Sequence, residues 1–105
     1  NVRFSMIANY LIQQKKAKHQ RRYITFLSAM EAVSAKYGED KENIREAMTK
    51  MLENGYLRQE RKFLTGGKQL KAIYLNEEKL SESGIDIIPE EKLSANEKTH
   101  KDKGR

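Results

Sequence analysis

Phe4, Ile7 and Leu11 recur at helical spacing with Ala8 and Ile12 beside them, and predict a first helix over 4–14. Met6 and Tyr10 place apolar surface on a second face of the same helix. The β-branched and aromatic run Tyr23-Ile24-Thr25-Phe26 is too short for a helix and suits a short strand. Ser28-Ala29-Met30-Glu31 has the Ser-x-x-Glu form of a capping box, which predicts a second helix from Ser28, ended by Gly38. Its packing residues are Met30, Ala32, Val33 and Tyr37.

Asp40 is a suitable N-cap for a third helix, whose apolar stripe is Ile44, Met48, Met51 and Leu52 and whose stop is Asn54-Gly55. Two strand-like runs, Tyr56–Leu64 and Leu70–Leu75, meet at Gly66-Gly67, which predicts a hairpin. Beyond Glu77 the strongly apolar positions are Leu80, Ile85, Ile87, Ile88 and Leu93, and Pro89 interrupts them. The expected organisation is a domain over 1–76, an extension over 77–90 and a disordered polar tail over 91–105. The fold class is mainly α with a small β-hairpin, α+β. One core is expected to gather the aromatic residues of 4–76, with Phe26, Ile44 and Leu52 buried.

Charge sharpens this division. Residues 1–76 hold 15 Lys and Arg against 7 Asp and Glu, and residues 77–105 hold 6 against 8. The net charge of +6 therefore understates how basic the folded part is, and a basic domain of this size attracts polyanions, nucleic acid foremost. There is no cysteine, so disulfide frameworks and thiolate zinc sites are excluded, in keeping with a cytoplasmic location. No apolar run approaches the length of a membrane span. The chain begins at Asn1, so a longer parent protein is one expectation.

The order helix, short strand, helix, tight turn, helix, hairpin resembles the winged helix-turn-helix superfamily of transcription regulators, including its MarR-like and PadR-like groups. The residues that carry the likeness are Val33, Gly38, Ile44, Leu52-Glu53-Asn54-Gly55-Tyr56-Leu57 and Ile73-Tyr74-Leu75-Asn76. The resemblance implies sequence-specific binding of double-stranded DNA, in transcription regulation or plasmid or phage maintenance. A recognition helix over about 40–54 would enter the major groove, and a wing over about 57–75 would lie on the backbone or minor groove.

On the third helix Lys41, Asn43, Arg45, Thr49 and Lys50 are the candidate DNA contacts, with Arg45 suited to a guanine edge and Asn43 to an adenine edge. The wing offers Arg58, Arg61, Lys62, Lys68 and Lys71 against Glu60, and a basic run before the second helix offers Arg21 and Arg22. Against this stand Glu39, Asp40, Glu42, Glu46 and Glu53 on and before the third helix, of which Glu42 and Glu46 would repel phosphates unless Glu42 pairs with Arg45 or Glu46 with Lys50. A protein-docking module of a larger assembly and an RNA-binding domain are the alternatives. The two His residues lack partners at metal spacing, and Gly66-Gly67-Lys68 lacks the phosphate-loop pattern. Neither an enzyme nor a cofactor is expected. The second apolar face of the first helix suggests a homodimer, or else cover by 77–90.

Overall fold

The computed structural model describes residues 2–17 and 23–93. Three helices, α1 (Val2–Lys16), α2 (Phe26–Tyr37) and α3 (Lys41–Glu53), are followed by an antiparallel hairpin, β1 (Leu57–Phe63) and β2 (Gln69–Leu75). A short helix α4 (Glu77–Glu82) comes next, and a last helical turn spans 90–93. The α+β class holds. The first helix is longer than expected at both ends.

The core lies where one stripe from each long helix meets the base of the hairpin. Ile7 and Leu11 of α1, Val33 of α2, Ile44, Met48 and Met51 of α3, and Leu57 and Ile73 of the strands are all buried. The i, i+4, i+7 spacing of Ile44, Met48 and Met51 puts all three on one side of α3. Leu52 lies off that stripe and is only partly buried, as is Phe26. The expected gathering of all aromatics also fails, because Tyr23 is 46% and Phe63 is 72% exposed.

The start of α2 differs from the Ser28–Glu31 box. Thr25 is the N-cap: its hydroxyl accepts from the Ser28 N–H (3.2 Å), and the Thr25 N–H donates to the Ser28 hydroxyl (3.1 Å). The Thr25 carbonyl takes the first helical bond, from the Ala29 N–H (3.0 Å). Either hydroxyl could cap; pairing with the hairpin decides between them. The Ile73 N–H donates to the Ile24 carbonyl (2.8 Å), and Thr25 bridges Ala72, which holds 24–25 extended beside β2 and releases the chain into helix at Phe26. The expected strand over Tyr23–Phe26 is thus a single bridge, against β2 rather than β1.

At the end of α2, Gly38 has φ +68, a conformation that disfavours side chains, and Asp40 caps α3 by accepting from the Glu42 N–H (3.1 Å). Asn76 ties the two ends of the hairpin together. Its N–H donates to the Tyr56 carbonyl (2.8 Å), its side-chain amide donates to the Gly55 carbonyl (3.1 Å), and its side-chain oxygen caps α4 by accepting from the Lys79 N–H (3.3 Å).

The C-terminal segment straps α1. The Ser5 hydroxyl accepts from the Ile88 N–H (2.8 Å), and the Asn9 amide donates to the Ile88 carbonyl (2.6 Å). Tyr37 donates to Glu90, and Lys36 lies 3.4 Å from the same carboxylate. Met6 is buried and Tyr10 half-buried, so the apolar face that suggested a homodimer is covered within the chain. Burial pushes the Tyr10 phenol above its ordinary pKa.

Leu93 is buried in the core cluster, so the first three residues of the expected polar tail belong to the fold. The rest of that tail, 94–105, lies outside the described residues. Leu93→Ala is expected to cost about 2–5 kcal/mol, the range for a buried leucine. A denaturant midpoint unchanged from the parent would show that the 90–93 turn does not support the core.

Candidate nucleic-acid interface

Strand alternation sorts the wing cations onto two faces. Paired residues share a face, so Arg58↔Tyr74, Glu60↔Ala72 and Lys62↔Leu70 lie on one, and Leu57↔Leu75, Gln59↔Ile73, Arg61↔Lys71 and Phe63↔Gln69 on the other. On the first face Glu60 lies 3.4 Å from Arg58 and 3.1 Å from Lys62. Lys62 also sits over the rings of Tyr23 and Tyr74, and Arg58 over Tyr74, at 5.5 to 6.0 Å. The hydrogen bond to Glu60 is the main reason the Lys62 ammonium is raised above its ordinary pKa. These two cations are already engaged inside the domain.

The second face differs from base to tip. Leu57 and Ile73 are buried in the core, whereas Arg61, Phe63, Gln69 and Lys71 on the same face are exposed. The hairpin is longer than the core it covers, so its outer half projects past it. Arg61 stands directly across from Lys71, and no carboxylate among the described residues pairs with either. Directly opposed like charges destabilise a strand pair. Lys68 adds a further exposed cation in the connecting turn, where Gly66 and Gly67 take φ +87 and +82.

The third helix is divided as well. At about 100° per residue, Asn43 and Arg45 lie roughly 160° apart around the axis, so they cannot read adjacent bases in one groove together. Asn43 and Lys50 line a cleft of about 450 Å³ against Arg3 and Phe4 of α1, with Glu39 and Glu46 on its walls. The Arg3 guanidinium lies 3.2 Å from the Glu39 carboxylate. Arg45 lies on the other flank and pairs with Glu42 at 2.9 Å. Glu42, Glu46, Thr49 and Glu53, at i, i+4, i+7 and i+11, form the exposed stripe opposite the core. Lys41 is exposed in the first turn.

Arg21 and Arg22 lie outside the described residues. Of the other sequence candidates, Arg61, Lys68 and Lys71 come together on the outer wing, and Lys41 remains exposed on α3. Arg58, Lys62 and Arg45 are paired internally, while Asn43 and Lys50 face the cleft beside α1. Sequence reading missed Phe63 as a surface residue, because it was counted among the aromatic residues expected in one core.

No family model, curated protein or solved structure matches this chain. Among the described residues, no helix is long and apolar enough to cross a membrane, and no group of three or more His, Cys, Asp or Glu is placed to hold a metal.

Proposed function

We propose that the chain is a winged helix-turn-helix domain that binds duplex DNA in transcription regulation or plasmid or phage maintenance. Two features of the fold support the winged-helix reading. A tight glycine turn joins α2 to α3, and the strand residues before α2 pair with β2, on the edge of the hairpin away from β1. The observation that carries DNA binding is the Arg61–Lys71 pair. Two cations held opposite one another with no counter-charge among the described residues make a surface that an anion stabilises, and a phosphate backbone supplies anions in a row.

The wing therefore supplies most of the affinity, with Arg61, Lys68 and Lys71 on phosphates. The helix contributes at its edge, through Lys41, Thr49 and Arg45 once Arg45 leaves Glu42. The acidic stripe of Glu42, Glu46 and Glu53 favours a second reading, in which α3 docks on a basic protein partner while the wing holds nucleic acid.

A gel-shift panel with duplex DNA, single-stranded RNA and heparin competitor, run at two salt concentrations, separates these readings. Retention of the duplex against RNA, weakening steeply with salt, is the expected result. Equal or better binding of RNA would point to the RNA alternative. Absence of any nucleic-acid complex at low salt would leave protein docking.

A further inference from the structure

Building on the duplex-binding reading, we propose that Phe63 is a wedge that enters a base step of the duplex and kinks it, so that part of the domain's sequence preference comes from DNA deformability. Phe63 is the most exposed large apolar residue among those described, at 72%, and Leu64 follows it at 36%. Burying such a side chain is favourable, a gain the free domain forgoes. Leu27 and Val2 are also exposed but stand on helices. Phe63 ends a strand that carries Arg61 two residues back on the same face, with Lys71 across from Arg61 and Lys68 in the turn.

That juxtaposition selects the partner. Cations without a carboxylate on their face call for a polyanion, and the ring between them calls for an apolar slot inside it. Between stacked base pairs a duplex offers such a slot beside its phosphates. A non-specific single-strand platform stacks successive bases on successive aromatic rings. Here the exposed face presents one ring, on a narrow two-stranded ribbon whose five-residue connection, 64–68, holds Gly66 and Gly67 with nothing within 4 Å of where a Cβ would stand. A slim ribbon with one ring at its end is shaped to enter a groove rather than to carry a strand across its surface. The wedge then opens one step at a time. Flexible pyrimidine–purine steps are the easiest to open, which makes them the favoured sites.

The test uses the full chain and an end-labelled duplex carrying one central TA step, with 2-aminopurine as the adenine of that step. Binding of the parent is expected to raise the 2-aminopurine emission severalfold. It should also bring the duplex ends together, as a kink within the range of about 20–90° requires. Phe63→Ser should keep the salt slope of binding and lose both signals, and Phe63→Leu should keep them in part. Because the side chain is exposed, neither change threatens folding. Parent binding without emission change or bending would overturn the wedge while leaving duplex binding intact. So would a Phe63→Ser variant that bends DNA as the parent does. Binding confined to single strands, or to anionic vesicles, and lost in Phe63→Ser would assign the tip to that partner and overturn the proposal. No duplex binding by the parent would overturn both readings.

Discussion

Met51→Ala is expected to destabilise the domain by about 2–5 kcal/mol, while Leu52→Ala, one residue along, costs markedly less. Met51 is fully buried between the helices and the hairpin base, so truncation leaves a cavity lined by side chains that cannot all move in. Leu52 is partly exposed, so water can take up much of the space its side chain vacates. At roughly 4–8 °C per kcal/mol for a domain of this size, the first change should lower Tm by about 8 °C or more. A loss of that size also consumes a large share of a typical domain's margin of about 5–15 kcal/mol. Thermal unfolding followed by circular dichroism measures both variants. If Leu52→Ala proved the costlier, the rotation of α3 about its axis would be wrong, and with it the assignment of the exposed stripe.

Replacing Arg61 and Lys71 together by Gln is expected to move stability and DNA affinity in opposite directions. Removing directly opposed like charges relieves the hairpin, for a gain of about 0.2–1 kcal/mol in folding. The same change removes two phosphate contacts, so the slope of log Kobs against log salt should flatten by roughly 0.9 per contact. The weakening should be alike on every duplex, because phosphate contacts carry no base information. Arg58→Gln with Lys62→Gln serves as the comparison. Those cations are paired with Glu60 on the other face, so their loss should leave the salt slope nearly unchanged. A change in preferred sequence on losing Arg61 and Lys71 would make the wing a base reader. Equal effects of the two double variants would show that strand parity does not sort the wing as described.

The helical layout was legible in the sequence because its signals are local. The Ile44, Met48 and Met51 spacing, the Asp40 cap, and the stops at Gly38 and Gly55 each act within a turn or two of chain. What was hidden depends on contacts far apart in sequence. Thr25 and Ser28 are equally able to cap α2, and the bond from the Ile73 N–H, supplied from far along the chain, decides between them. The second face of α1 read as spare surface because nothing local reveals that 85–93 returns to cover it. Ser5 and Asn9, polar groups at i, i+4 that flank that face, were the available signal, since they hold the backbone of Ile88.

The site was legible as a list and not as an arrangement. Alternation assigns each wing residue to a face, but neither the pairing of Glu60 with Arg58 and Lys62 nor the distance the hairpin runs beyond the core follows from composition. Phe63 illustrates the second point, with the parity of a core residue and a position past the core's edge.

The role proposed for the outer wing is to neutralise phosphates of a duplex. It is tested most directly by fluorescence anisotropy of a labelled duplex titrated with the parent chain from about 50 to 200 mM salt, the interval over which several phosphate contacts weaken binding by orders of magnitude. With Arg61, Lys68 and Lys71 each on a phosphate, log Kobs should fall linearly with log salt at a slope of about −3 or steeper. A flat line, or no binding at the lowest salt, would contradict it.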